Sequence, residues 1–258
     1  MDKKYEAIGV LDSGLGGLSV LREAIKIMPN ENYIYFGDSK NAPYGVKPTK
    51  EIRDLTFNVV DFLIEKGIKG LVVACNTATS AAVSELRRVY PDIPLVGIEP
   101  AIKPAVELNR SGKILIMATP MTIKQEKFNL LLNKYKEKAE IVPIPCAGLM
   151  EFIEDGILSG EELEEYLEEK LSIYDKSEIS SIVLGCTHYP FVKDVIAKIV
   201  GSNVIIMDGG EGTAREIKRR LREKNLLTDR IKKGNVDIYN SLDEKKVIDL
   251  SWKLIQQP

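Results

Sequence analysis

The chain has 258 residues, 44% hydrophobic and 29% charged, enough to bury one large core or two modest ones. Its 36 Lys and Arg stand against 38 Asp and Glu, a net charge of −2 with no basic stripe, which argues against a nucleic-acid partner. No apolar run approaches the roughly 18 residues of a membrane span, MDKKYEAIGVLDSG lacks the h-region of a signal peptide, and three cysteines suit reduced thiols, so a soluble cytoplasmic protein is expected.

Short apolar runs rich in Val and Ile recur from the N-terminus onward. AIGVLD at 7–12 leads into the glycine-rich DSGLGGLS at 12–19 and a helical pattern, LSVLREAIKIM, at 18–28. Gly14, Gly16 and Gly17 permit a tight turn whose backbone N–H groups favour an anion. As a GxGxxG dinucleotide motif the stretch fails at the third glycine, where Ser19 stands. Asp12 reads either as the N-cap of the helix or as a carboxylate presented to a ligand. YIYFGD at 33–38 is the second run, and Pro43-Tyr44-Gly45 in the polar loop beyond it reads as a turn. A helical pattern over 49–67 precedes LVVAC at 71–75, LVGIEP at 95–100, ILIMAT at 114–119 and IVPIP at 141–145. Glu154, in EFIEDG, reads from composition as a surface carboxylate on a helix. Helical patterns at 161–174 and 212–225 bracket SIVLGC at 181–186 and VIIMD at 204–208. The C-terminal KKVIDLSWKLIQQ is amphipathic, with Val247, Leu250, Trp252 and Leu254 available for packing.

Continuous rather than alternating apolarity marks strands buried on both faces of a parallel sheet. Strands alternating with helices give an α/β class. The two cysteine segments suggest two similar α/β lobes with mainly parallel sheets, their strand carboxyl ends facing a central cleft where such sheets bind ligands.

Cys75 in VVACNTATS and Cys186 in IVLGCTHYP each end an apolar strand and lead into a small polar turn with hydrogen-bonding side chains, Asn76 and Thr77 in one case, Thr187 and His188 in the other. His188 is the only histidine of the chain, two residues from a thiol whose ordinary pKa of about 8.5 calls for help in ionising. Three chemistries compete. A zinc site could use Cys75, Cys146, Cys186 and His188, although no C-x2-C pair is present. A single Cys–His nucleophile could attack an acyl group, with Asp12 or Glu154 orienting the base, as in an amidase. Two thiols could serve opposite faces of a carbon acid, one as base and one as acid, which inversion of a stereocentre requires and which employs both cysteines.

In these segments the chain resembles the cofactor-independent aspartate/glutamate racemase family. The likeness runs from GVLDSGLGGLSVL through YFGDS, PYG, VVACNTATS, GIEPAIKPA, ATPMT, PC-x-GL and IEDG to LGCTHYP and DGGEGTAREI, and its two cysteine blocks lie in the family's order about 110 residues apart. The resemblance implies two lobes around a cleft, residues 1–98 with 209–258 forming the first and 99–208 the second. It implies L- to D-glutamate interconversion, with aspartate or a broader acidic amino acid as the alternative substrate. By similarity Cys75 deprotonates D-glutamate with help from Asp12, and Cys186 deprotonates L-glutamate with help from His188, Glu154 matching a further family glutamate. Substrate contacts carry over to Asp12, Ser13, Tyr44, Gly45, Asn76, Thr77, Thr187 and His188.

The resemblance also implies no pyridoxal phosphate, no metal, a homodimer, and D-glutamate supplied to peptidoglycan in a bacterial cytoplasm. Two segments depart from the common pattern. GDSKNAPYG replaces GDTARxPYG at Ser39, Lys40 and Asn41, and CAGLMEFIEDG carries Ala147 and Glu151 where prolines are common. Neither touches the cysteine blocks, but both bear on the choice between glutamate and aspartate.

Overall fold

The apolar runs fold as parallel strands with helices between them, in a computed structural model that describes residues 2–257. The chain divides into two compact units, Met1–Glu99 with Gly210–Pro258, and Pro100–Gly209. In the first unit the strands are β1 (Ala7–Asp12), β2 (Tyr33–Gly37), β3 (Ile68–Val73), β4 (Leu95–Gly97) and, from the C-terminal part, β9 (Val236–Asn240). In the second they are β5 (Lys113–Ala118), β6 (Ile141–Pro145), β7 (Ile179–Leu184) and β8 (Ile205–Asp208). The sheet orders are β4-β3-β1-β2-β9 and β6-β5-β7-β8, and every described pair is parallel.

Reversed, the second order reads β8-β7-β5-β6, the first unit's order without β9. The equivalence extends to single residues. The β1–β3 register slips from Ala7↔Ile68 to Ile8↔Gly70, and the β5–β7 register slips at the same place, from Lys113↔Ile179 to Ile114↔Ser181. The residues so passed over, Lys69 and Ser180, both fasten backbone nearby: Lys69 Nζ donates to the Lys4 carbonyl and Ser180 Oγ to the Lys113 carbonyl. Lys69 also pairs with Glu31, both side chains nearly sealed from solvent. Removing one member of a buried ion pair leaves an uncompensated charge, so Lys69→Ala is expected to cost about 3–5 kcal/mol in urea unfolding.

Helices α1 (Leu18–Ile27), α2 (Thr49–Glu65), α3 (Asn76–Val89), α10 (Gly210–Glu223) and α11 (Lys245–Gln256) belong to the first unit. Helices α4 (Ile102–Glu107), α5 (Pro120–Lys124), α6 (Glu126–Tyr135), α7 (Leu149–Glu154), α8 (Glu161–Leu171) and α9 (Lys193–Val200) belong to the second. Helix α1 approaches the sheet closely because Gly17 precedes it: a Cβ there would lie 2.6 Å from that of Asp12 and 2.9 Å from that of Ala74.

Three details differ from the sequence expectations. The polar residues after Cys75 do not form a turn; they start α3 at once. Strand β9 has no apolar run to announce it, because only Asn240 of its five residues is buried. In α11 Leu254 is buried and Val247 and Leu250 are half-buried as expected, but Ser251 is buried too while Trp252 stays 37% exposed.

Candidate active site

Both thiols lie two residues beyond the last residue of a central strand. β3 ends at Val73 and β7 at Leu184, and the next residue of each continues the ladder: Ala74 N donates to Leu11 O at 2.8 Å, Gly185 N to Met117 O at 2.7 Å. Cys75 and Cys186 follow, at equivalent positions in their sheets. The register extends further. Asp38 N bonds Asp12 O at 3.0 Å and Cys146 N bonds Ala118 O at 2.9 Å, so Asp12 corresponds to Ala118 and Asp38 to Cys146.

In the first unit Cys75 is the N-cap of α3, its sulfur accepting from Ala78 N at 3.4 Å where a Ser or Asp oxygen usually serves. Its thiol donates to Ser13 Oγ at 3.5 Å. Asp12, 1% exposed, bonds Gly14 N through Oδ2 at 2.9 Å, so it closes the turn after β1. The N-cap position of α1 is Gly17, which overturns the capping reading of Asp12. Burial, and then the charge of Asp12, pushes the Cys75 thiol up to about 12, outweighing Ser13 and the N–H groups of Ala78 and Thr77.

Tyr44 opens a 3-10 turn, Tyr44–Val46, yet it is buried in the same core cluster as Cys75, Leu11 and Ala78, and its hydroxyl donates to Asp38 Oδ2 at 2.7 Å. Burial, reinforced by Asp38, holds that phenol protonated well above its ordinary range. Gly45, which follows Tyr44, and Asn76, which follows Cys75, are half-buried, and Thr77 is buried. Asp38 escaped the sequence reading although it ends YIYFGD as Asp12 ends AIGVLD; a carboxylate closing a buried strand was the available signal.

In the second unit a hydrogen-bonded row runs from Cys186 Sγ to His188 Nδ1 at 3.6 Å and from His188 Nε2 to Glu154 Oε1 at 2.6 Å. Glu154 ends α7, which is anchored by buried Leu149 and Ile153, so it faces the imidazole and is not the surface carboxylate its neighbours in sequence suggested. Burial alone would lower the His188 pKa, but the bonds to Cys186 and Glu154 and the charges behind them raise it well above the ordinary value. These partners favour the imidazolium, the form that donates from both nitrogens. Thr187, between Cys186 and His188 in sequence, is buried. Burial, with the charge of Cys186 adding, pushes the Cys146 thiol up to about 12, and the Cys146 carbonyl accepts from Tyr189.

The structure thus brings Asp12, Ser13, Tyr44 and Cys75 together in one unit, and Glu154, Cys186 and His188 in the other. Within neither unit do three or more His, Cys, Asp or Glu form a group able to hold a metal ion, among the described residues. No described helix is long and apolar enough to cross a membrane.

Residues 8–217 match the family model for Asp/Glu/Hydantoin racemases. A glutamate racemase of Clostridium perfringens is 60% identical over 255 residues, covering 99% of this chain and 98% of that one, and one of Clostridium botulinum is 59% identical with 99% of each chain covered. Among solved structures, the glutamate racemase of Francisella tularensis in complex with D-glutamate superposes with a TM-score of 0.83 at 31% identity, over 98% of this chain and 95% of that one. The Escherichia coli glutamate racemase in complex with L-glutamate and the activator UDP-MurNAc-Ala gives 0.85 at 27% identity, over 97% and 94%. The fold is that of the glutamate racemases, and the chain belongs to the Asp/Glu/Hydantoin racemase family.

Proposed function

We propose that this enzyme interconverts L- and D-glutamate by proton transfer at Cα between two thiols, Cys75 and Cys186, without cofactor or metal. The observation that carries the reading is the equivalence of the two sulfurs, each two residues past the end of a matched central strand. Inversion needs a base for one face of Cα and an acid for the other. One sulfur, as thiolate, takes the Cα proton and becomes a thiol; the other gives its proton to the opposite face and becomes a thiolate. The number of protons held by the pair is unchanged, and the reverse reaction exchanges their roles.

Asp12 assists Cys75, whose thiol needs a proton acceptor because burial disfavours its ionised form. His188, oriented by Glu154, assists Cys186. Backbone and hydroxyl donors of Ser13, Tyr44, Gly45, Asn76, Thr77 and Thr187 receive the substrate carboxylates, and Asp12 also meets its ammonium. Such fixed donors stabilise the carbanion-like centre where no electron sink exists. The glutamate bound in the two related structures supports glutamate as substrate. The product would supply peptidoglycan synthesis in the cytoplasm, and the working form would be a homodimer, which sedimentation checks directly.

The test is incubation in D2O, after dialysis against chelator and without pyridoxal phosphate, with L- and D-glutamate, both aspartate enantiomers and glutamine. Loss of the Cα–H signal of glutamate with decay of optical rotation is expected. Binding without exchange, ammonia from glutamine, or racemisation of aspartate alone would each refute the reading.

A further inference from the structure

The first unit carries one strand that the second lacks, and its tip reaches the loop that holds Tyr44 and Gly45. At the end of β9, Asn240 is 7% exposed; its Nδ2 donates to Ser39 Oγ at 2.8 Å while its Oδ1 accepts from Leu242 N at 3.0 Å. Ser241 follows, its N–H bonding Gly37 O at 3.0 Å and its Oγ accepting from Lys40 N at 2.9 Å. A Cβ on Gly37 would stand 3.0 Å from Asn240 Nδ2 and 2.4 Å from Gly14 O, so the β9 tip and the glycine turn both close on the end of β2.

From there the loop fastens to itself. Asn41 Nδ2 donates to both oxygens of Asp38, at 3.0 and 3.1 Å, and Tyr44 adds the third bond to the same carboxylate. The rest of the loop is two short 3-10 turns, Ser39–Asn41 and Tyr44–Val46, with Tyr44 packed in the core beside Cys75 and Val46 71% exposed. Its attachments in order are therefore Ser39 to Asn240, Lys40 to Ser241, then Asn41 and Tyr44 to Asp38.

We propose that Asn240 and Ser241 are positioning residues that preset the Tyr44–Gly45 segment of the substrate site, acting through Ser39 and Lys40. This rests on the reading of Tyr44 and Gly45 as substrate contacts given above. A loop held in its binding shape beforehand loses less freedom when substrate arrives, so the clamp acts on affinity more than on the chemical step. Neither residue touches the reacting atoms.

Asn240→Ala, Ser39→Ala, their double variant and Ser241→Ala are compared with the wild type for L- and D-glutamate. Each single variant is expected to raise KM about tenfold in both directions, the size of one lost buried hydrogen bond, with kcat within about threefold. Because Asn240 acts through Ser39, the double variant should show about the KM of the worse single variant instead of the product of the two. Unchanged KM with a lowered Tm in Asn240→Ala would make the residue merely structural and overturn the proposal, as would multiplicative KM effects. If Asn240→Ala does not fold, Ser39→Ala decides alone, since it removes the acceptor from a half-buried position, and an unchanged KM there refutes the clamp. A wild type that does not racemise glutamate overturns the functional reading itself; an active wild type with unaltered variants overturns only the clamp.

Discussion

Cys75, 6% exposed, has an acidic and hydroxylic neighbourhood, Asp12 and Ser13, and its thiol is pushed up to about 12. Cys186 is half-buried and has an imidazole, His188, braced by a carboxylate, Glu154. The backbone delivers both sulfurs in the same way, down to the register slip and the ladder bond one residue before each. What differs is a handful of side chains at matched positions. Where the first sheet ends in Asp12 the second has Ala118, and where the second has His188 the first has Thr77. The fold supplies a place for a thiol at a strand end; the neighbours decide how its proton is held. A carboxylate beside a buried thiol disfavours its ionised form and can accept its proton, whereas the partner of Cys186 is an imidazole.

The sharpest way to break the comparison is to remove each sulfur. Cys75→Ala and Cys186→Ala are each expected to lower racemisation, followed by polarimetry, by about 10³–10⁴-fold, the upper range for a positioned acid or base. Cys146→Ala is the control. It is buried at the position matched by Asp38, and its carbonyl, which the substitution keeps, makes the bond to Tyr189. It should retain most activity. Near-wild-type turnover in either of the first two variants would leave a single-cysteine mechanism.

Those three residues also show what was legible in the sequence. Cys75 and Cys186 stood out because the strands before them are buried on both faces and read as unbroken apolar runs. Helix α3 was hidden behind Asn76-Thr77-Ala78-Thr79-Ser80, weak helix formers apart from the alanine, with a cysteine in the capping position. Strand β9 was hidden by its exposure, since an edge strand with one buried residue carries no apolar run. Glu154 was visible only through the family resemblance, because its partner lies 34 residues further along the chain. The turn at Tyr44 was legible but its burial was not, for a related reason: that burial comes with a bond to Asp38 and packing against α3, which spacing cannot reveal.

A smaller effect should separate the two neighbourhoods by direction. His188→Asn is expected to lower kcat for L-to-D conversion more than for D-to-L, by roughly tenfold in the ratio, because in the proposed mechanism His188 serves the thiol that deprotonates L-glutamate. Asp12→Asn should bias the opposite way, with KM rising in both directions as well if its carboxylate meets the ammonium. The overall equilibrium constant fixes the ratio of kcat/KM in the two directions, so any bias in kcat must appear equally in KM. Equal kcat losses in both directions for both variants would dissolve the distinction between the half-sites.

The smallest effect concerns the brace behind His188. Glu154→Gln keeps an acceptor for Nε2–H but removes the negative charge, so the His188 pKa should fall toward its ordinary value of about 6.5. A histidine whose folded pKa is raised stabilises the fold fully below its unfolded pKa, and that contribution disappears as pH rises through the folded value. The wild type should therefore exceed Glu154→Gln by about 1 kcal/mol below pH 6.5, the difference between a charge-assisted and a neutral hydrogen bond, and the gap should narrow as the pH rises through the wild-type value. The limb of the kcat profile for L-to-D conversion that reports His188 should move toward acid by the same change in pKa. Urea unfolding at several pH values between 5 and 10 measures the first and initial rates the second. A stability gap constant across that range, with an unmoved kcat limb, would show that Glu154 orients the imidazole without setting its charge.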